Sequence, residues 1–261
     1  GTDLYLLVDV ANYSLTYSLC GKENHMSPDD HYQDLKRIIA AVGGKARRIT
    51  VIMPFLYESR QHKRTARESL DCALALQELT AMGVDNIITF DAHDPGVEHA
   101  VHNIEFDNFY ATNVVLEDFI SDLSTEQLEN LVFVAPDGGA VGRTNVYLNS
   151  FNSPYVNRDA GNFYKQRDYN NLVNGKYEVV SHEYCGNGDL EGKTAIVSDD
   201  MISSGGSMFD VIKSLKARGV KHIYLVVTFA LFTRGVDKFR EFYEAGMLDG
   251  VYTTNLSYIP E

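Results

Sequence analysis

Short apolar runs alternate with amphipathic segments along most of the chain, and this alternation limits the possible folds more than any other feature. Residues 4–10, 48–53 and 131–135 are almost continuously apolar, as expected of parallel strands that are buried on both faces. Between the first two runs, Ser27 and Pro28 provide an N-cap and a first helical residue. Alternating strands and helices predict parallel sheets with right-handed crossovers. We therefore expect an α/β fold.

A polar section rich in asparagine and tyrosine, residues 145–174, interrupts the alternation. Beyond it the pattern resumes with buried runs at residues 194–198 and 222–228. This organisation predicts two tandem domains, residues 1–140 and 141–261, each a parallel sheet flanked by helices. The polar section has little apolar periodicity, so we expect it to be a long excursion that carries a mobile loop.

The charge and the cysteines restrict the class of partner. The 261 residues include 23 basic and 36 acidic side chains and carry a formal charge of -13, which argues against nucleic acids and anionic membranes. Anionic small molecules can still bind in a local basic pocket or through magnesium. Cys20, Cys72 and Cys185 are widely spaced and predict reduced thiols in a cytoplasmic protein. The sequence shows no signal peptide and no long apolar run.

The segment that follows residues 194–198 carries the strongest chemical signal. Two adjacent carboxylates come first, then small and hydroxylated residues, and then the start of a predicted helix. Ligands of parallel sheets bind at this edge, and the N–H groups of a helix start suit a phosphate dianion. Carboxylates there can accept hydrogen bonds from vicinal sugar hydroxyls, so we favour a sugar-phosphate site over a plain polar turn. The predicted site comprises Asp199, Asp200, Ser203, Ser204, Gly205, Gly206 and Ser207.

Three other predicted strand ends also carry residues typical of ligands. Residues 53–64 place Arg60 and Gln61 in a cationic segment that suits ATP phosphates and the adenine edge. His93 closes the strand at residues 86–90, and Asp137 lies in a Pro-Asp-Gly-Gly turn. Each motif alone is also compatible with a solvated turn. Four predicted strand ends that all carry residues able to bind a ligand are harder to explain as solvated turns than one such end.

Together, these motifs resemble those of ribose-phosphate pyrophosphokinases, within the type I phosphoribosyltransferase superfamily. The resemblance implies that Arg60, Gln61 and His93 bind ATP, and that His93 and Asp137 bind Mg²⁺. It also implies that Lys165 and Arg167 are catalytic cations on a mobile loop, where they would stabilise charge in the transition state. The family more often has Asp at the position of His62, so the roles of His62 and Lys63 stay open.

The resemblance also implies the reaction. The C1 hydroxyl of ribose 5-phosphate would attack the β-phosphorus of ATP, giving 5-phosphoribosyl 1-diphosphate and AMP, without an assigned general base. The N-terminal domain would bind ATP, the C-terminal domain would bind ribose 5-phosphate through residues 199–207, and the active site would lie between them. Family members form homo-oligomers, dimers or hexamers. They also have more chain before the first strand and a helix after the last, so we expect this chain to be part of a longer protein.

Two alternatives remain open. A phosphoribosyltransferase acting on a nucleobase would keep residues 199–207 but would not need Arg60, Gln61, His93, Lys165 and Arg167. A non-catalytic regulatory paralogue would bind nucleotides and assemble with active subunits. Loss of the loop cations would mark such a paralogue, and both cations are present.

Overall fold

The fold is described from a computed structural model of the chain. The description covers residues 1–64, 66–151, 159–173, 176–186 and 188–259, and it leaves out the side chains of residues 165–182. The chain divides into two compact units, Gly1–Ala111 with Asn255–Glu261, and Thr112–Thr254. The sequence predicts this division at residue 140. The structure assigns residues 112–140 to the second unit because the strand they contain pairs within the second sheet.

Unit 1 contains a four-stranded parallel sheet and an antiparallel hairpin. The sheet has the order β1-β4-β5-β6, and the hairpin consists of β2 and β3. The elements are β1 (Asp3–Leu7), β2 (Thr16–Leu19), β3 (Lys22–His25), α1 (Pro28–Val42), β4 (Arg48–Ile52), α2 (Asp71–Ala81), β5 (Asn86–Phe90), a 3₁₀ helix (Pro95–Ala100) and β6 (Glu105–Phe109). Ser27 caps α1 as predicted, and its hydroxyl accepts a hydrogen bond from the Asp30 N–H over 3.2 Å.

The first strand differs from its prediction. Leu6 packs against the core that α1 and α2 form with the sheet, but Tyr5 and Leu7 are 62% and 73% exposed. Successive side chains of a strand point to opposite faces, so one core can bury only alternate residues. The prediction of burial on both faces was therefore wrong for β1, which lies at the edge of its sheet.

Unit 2 contains a six-stranded sheet in the order β12-β11-β10-β7-β8-β9. Its strands pair in parallel except for β8 with β9, which are antiparallel. The elements are α3 (Thr112–Ser121), α4 (Thr125–Glu129), β7 (Leu131–Ala135), a 3₁₀ helix (Gly138–Ala140), α5 (Val141–Ser150), β8 (Asp159–Val173), β9 (Lys176–Gly186), β10 (Thr194–Ile202), α6 (Gly206–Ala217), β11 (His222–Ala230), α7 (Asp237–Glu244) and β12 (Gly250–Tyr252). The α/β fold is thus confirmed, with a parallel sheet in unit 1 and a mostly parallel sheet in unit 2.

The polar section is more regular than its sequence indicates. Residues 141–150 form α5, and residues 159–173 form β8, which pairs with β7 on one side and β9 on the other. The expected long excursion is therefore mostly helix and strand, because backbone hydrogen bonds hold a polar strand near a sheet edge without apolar periodicity. No helix among the described residues is long and apolar enough to span a membrane.

Candidate functional site

Gly205 shapes the loop between β10 and α6. It is buried and adopts a left-handed conformation with φ +77°, and its carbonyl accepts the Phe209 N–H over 3.0 Å. A Cβ at this position would lie 2.5 Å from Cζ of Phe239 and 2.9 Å from Cε2 of Phe209. Glycine alone avoids both the backbone strain and the collision. The N–H groups that open α6 have no acceptor within the helix, which suits an anion.

The loop is anchored at its other end to the segment after β11. The Ile202 carbonyl accepts the Leu231 N–H over 2.9 Å, and the Ser203 carbonyl accepts the Thr233 N–H over 3.0 Å. Ser203 is half-buried, whereas Ser204, Gly206 and Ser207 are exposed. These anchoring bonds use backbone groups and not the serine hydroxyls. The structure therefore brings residues 203–207 together in one short loop at a helix start.

The two predicted carboxylates lie inside β10 and not at its end. β10 continues to Ile202, four residues beyond the predicted strand, because β11 pairs with it as far as Ala230. The Asp199 side chain is 22% exposed, whereas Asp200 is only 2% exposed. The Asp200 N–H donates to Oδ1 of Asp199 over 2.9 Å.

The surroundings of Asp199 disfavour its charged form. Burial, followed by the charge of Asp200, raises the pKa of Asp199 well above its usual range. The guanidinium of Arg143 acts in the opposite direction, with Nη1 3.7 Å from Oδ1 of Asp199. Hydrogen-bond donors or cations of a ligand would stabilise the carboxylate further. The sequence gives no local signal for the role of Arg143, although this residue lies only six positions after Asp137.

Asp137 shares the sheet edge with the acidic pair. Val134 pairs with Val197 in the parallel ladder, and Asp137 and Asp200 each come three residues later. Oδ1 of Asp137 accepts the Gly139 N–H over 2.9 Å and so caps the 3₁₀ helix. Its second carboxylate oxygen is suited to a cation.

Unit 1 brings together two histidines, His62 from the segment after β4 and His93 from the segment after β5. These strands are neighbours in the sheet, and the ring centroids of His62 and His93 lie 5.3 Å apart. Nε2 of His62 lies 3.2 Å from Oδ2 of Asp94. The cluster joins the segment after β4 to the segment after β5. Sequence analysis selected His93 but assigned no role to His62 or Asp94, because their contact links residues 32 positions apart.

The other residues predicted to bind ATP lie just before His62. Arg60 is exposed, and the side-chain amide of Gln61 donates to the Ser69 carbonyl over 2.9 Å. The backbone N–H of Gln61 donates to the Glu58 carbonyl over 2.8 Å and closes a turn over residues 58–61. Gln61 thus stabilises the segment after β4. Its side-chain oxygen is the atom that can accept a hydrogen bond from a ligand.

Lys165 and Arg167 lie on β8, opposite His182 and Val179 of β9. Their side chains fall outside the described part of the structure, so their catalytic role stays a prediction.

The donor set can accommodate magnesium only together with a substrate. Among the described residues, no three His, Cys, Asp or Glu side chains are placed to hold a metal ion. Magnesium usually takes one or two carboxylates and completes its shell with substrate phosphates and water. Asp137 supplies such a carboxylate, and His93 is the nitrogen donor predicted for the same role. The carboxylate of Asp137 therefore fits a magnesium ion that arrives with phosphates, and the role of His93 stays a prediction.

Comparison with known proteins identifies the two parts of the chain separately. Residues 107–244 match the family model of the phosphoribosyl transferase domain, and residues 1–83 match the model of the N-terminal domain of ribose phosphate pyrophosphokinase. The resemblance deduced from the motifs is thereby confirmed.

Similar proteins are longer than this chain. A ribose-phosphate pyrophosphokinase of Nostoc sp. is 30% identical over 237 residues, covering 89% of this chain and 65% of the relative. One from Gloeobacter violaceus is 32% identical over 218 residues, covering 82% of this chain and 59% of the relative. A crystal structure of phosphoribosylpyrophosphate synthetase from Mycobacterium smegmatis matches with a TM-score of 0.67 and 20% identity, covering 88% and 82% of the two chains. That likeness supports the fold.

Proposed function

Because the chain belongs to the phosphoribosyl transferase domain family, and its N-terminal part resembles that of ribose phosphate pyrophosphokinase, we propose that it is a ribose-phosphate diphosphokinase. It transfers the diphosphoryl group of ATP to the C1 hydroxyl of ribose 5-phosphate. The products are 5-phosphoribosyl 1-diphosphate and AMP. The observation that carries the proposal is the loop at Gly205, an anion-suited helix start directly after two carboxylates.

Unit 2 binds ribose 5-phosphate. The 5-phosphate accepts hydrogen bonds from the backbone and hydroxyl groups of residues 203–207. Asp199, the more exposed of the two acids, accepts hydrogen bonds from ribose hydroxyls, and Asp200, which is only 2% exposed, is proposed for the same site as its neighbour in the strand. Burial raises the pKa of Asp199 because the charged carboxylate loses water as a hydrogen-bond donor. Ribose hydroxyls suit this residue because they donate the hydrogen bonds that water no longer provides.

Unit 1 binds ATP. The exposed guanidinium of Arg60 pairs with the phosphates, and Gln61 contacts the nucleotide through its amide oxygen. His93 lies at the end of β5, beside this segment, and contacts the diphosphoryl group that is transferred. Asp94 and His62 hold the two segments together.

Transfer proceeds in line. The bond from the ribose C1 oxygen to the β-phosphorus forms while the bond from the β-phosphorus to the bridging α,β-oxygen breaks, and AMP leaves with that oxygen. Lys165 and Arg167 stabilise the charge that spreads over the equatorial oxygens. The hydroxyl proton is released to solvent, and no side chain is assigned as a general base.

Mg²⁺ supplies charge neutralisation of the diphosphate when bound. His93 and Asp137 are the residues that would hold it.

The proposed assembly is a homo-oligomer, a dimer or a hexamer. The exposed apolar side chains of Tyr5 and Leu7 on the edge strand β1 suit such association. Cys20, Cys72 and Cys185 are free thiols, which suits the proposed cytoplasmic location. Light scattering at several protein concentrations measures the assembly.

The decisive experiment is AMP formation from ATP and Mg²⁺, with and without ribose 5-phosphate. We expect that AMP is released only when ribose 5-phosphate is present. The rate of AMP release should fall by a factor of about 10³ in Lys165→Ala, because this substitution removes a cation that stabilises the transition state. Lys45→Ala is the matched control, because Lys45 is an exposed lysine of unit 1 outside the proposed site. A folded chain that binds ATP but releases no AMP would refute the diphosphokinase proposal. That result would favour the non-catalytic regulatory paralogue.

A further inference from the structure

A buried cation lies beside the more exposed carboxylate of β10. The Arg143 side chain is 8% exposed, the Asp199 side chain is 22% exposed, and Nη1 of Arg143 lies 3.7 Å from Oδ1 of Asp199. This distance is longer than a hydrogen bond, so the guanidinium acts on the carboxylate through its charge. A ligand that approaches the pair therefore meets the carboxylate more readily than the cation.

Helix α5 fixes Arg143 beside β10. The next residue, Thr144, is buried, and its hydroxyl donates to the Ala140 carbonyl over 3.0 Å. The buried hydroxyl of Ser198 lies 3.0 Å from that of Thr144 and donates to it, because the single hydroxyl proton of Thr144 is already used. Two neighbouring residues of α5 thus contact two neighbouring residues of β10, Ser198 and Asp199. This double contact sets the position of the guanidinium relative to the carboxylate.

The acidic pair needs a cation if Asp199 is to carry a charge. Burial and the charge of Asp200 raise the pKa of Asp199, whereas Arg143 lowers it. Val227 of β11, which pairs with Asp199, is uncharged, and the titratable group that follows β7 is the acid Asp137. Arg143 is therefore the cation that counteracts the burial of Asp199 and its acidic neighbour.

We propose that Arg143 is a positioning residue for ribose 5-phosphate. Its charge holds the Asp199 carboxylate in place and favours the charged form, which accepts stronger hydrogen bonds from sugar hydroxyls than a neutral carboxyl group does. Arg143 acts through Asp199 and not by touching the sugar. The inference rests on the proposed function, because it takes ribose 5-phosphate as the ligand of residues 199–207.

The test measures ribose 5-phosphate binding by calorimetry in the absence of ATP, so it does not depend on turnover. Arg143→Leu should weaken the affinity roughly tenfold, because hydrogen bonds to a charged acceptor are about twice as strong as those to a neutral one. Arg143→Lys keeps a cation and should stay within about threefold of the unchanged chain. Arg37→Leu is the matched control, because the Arg37 side chain is 69% exposed on α1 and should leave this affinity unchanged.

The pH dependence distinguishes positioning from a merely structural role. Affinity for ribose 5-phosphate should fall as Asp199 is protonated, and this fall should occur at higher pH in Arg143→Leu, because loss of the cation raises the pKa of Asp199 further. The shift should vanish when Asp199→Asn is added to Arg143→Leu. Carbon NMR of the Asp199 carboxyl group, assigned with Asp199→Asn, measures the same titration without a ligand. Arg143→Gln repeats both measurements if Arg143→Leu does not fold.

The outcomes separate this inference from the proposed reaction. Unchanged affinity and an unchanged pH profile in a folded, neutral Arg143 variant would overturn the inference, even if the chain releases AMP as proposed. Weaker binding in Arg143→Leu that recovers in Arg143→Lys would support it, even in a chain that releases no AMP. A chain that binds no ribose 5-phosphate would overturn the inference as well.

Discussion

Gly205→Ala should be the most damaging single-methyl change in the loop between β10 and α6. Gly205 has φ +77°, and an added Cβ would lie 2.5 Å from Cζ of Phe239 and 2.9 Å from Cε2 of Phe209. Phe239 and Phe209 are themselves buried in the core of unit 2, with ring centroids 4.6 Å apart. Neither ring can move without displacing its neighbours.

The expected cost has two parts. A left-handed conformation costs a residue with a side chain about 1–2 kcal/mol relative to glycine. Forcing a methyl group into a close-packed core adds about 1–3 kcal/mol. The total of about 2–5 kcal/mol is a large fraction of the stability of a typical domain. In urea, a loss of this size lowers the unfolding midpoint by about 1 M or more.

Two matched glycines separate the two parts. Gly246 also has positive φ, +67°, but nothing lies within 4 Å of its added Cβ, so Gly246→Ala should cost only the backbone part. Gly206 lacks positive φ and its nearest neighbour is Oγ of Ser204 at 3.8 Å, so Gly206→Ala should be nearly neutral. Urea unfolding followed by circular dichroism measures all three variants. Equal losses in Gly205→Ala and Gly246→Ala would show that the rings yield and that the collision argument is wrong.

Two further changes test the surroundings of Asp199, and a third tests the cap of α1. Burial raises the pKa of Asp199, so the folded state binds more protons than the unfolded state and stability falls as pH rises from about 4 through the raised pKa. Asp199→Asn should therefore raise the free energy of unfolding at pH 7 by on the order of 1 kcal/mol, and this gain should vanish near pH 4. Melting temperatures at both pH values measure the difference. Arg143→Leu removes the cation 3.7 Å from Asp199 and should lower the free energy of unfolding by about 1–3 kcal/mol at pH 7, as measured by urea unfolding. An unchanged unfolding midpoint would show that Arg143 does not stabilise the Asp199 carboxylate. Ser27→Ala removes the cap of α1 and should cost about 1 kcal/mol, whereas Ser27→Thr keeps a hydroxyl beside Asp30 and should lose little of it in the same assay.

The alternation of apolar runs with helical segments was sufficient to predict the α/β class and most elements of both units. β4, β7 and β11 lie where their apolar runs predicted strands, and α1 begins at the residue after Ser27. Such features are local, since apolar periodicity and capping act over a few residues. A strand followed by carboxylates and glycines also predicted a candidate site at residues 199–207, because parallel strands place their ends at one edge, and the role of these residues stays a prediction.

Only the tertiary structure decided what depends on contacts between distant residues. The exposure of Tyr5 and Leu7 follows from the position of β1 at a sheet edge, which its apolar sequence does not reveal. The hairpin of β8 and β9 owes its strands to pairing, not to apolar periodicity. The approach of Arg143 to Asp199 and of His62 to Asp94 joins segments that share no local pattern. Chain packing creates these neighbours, and it thereby sets the pKa of one carboxylate and leaves one imidazole nitrogen without a partner among the described residues.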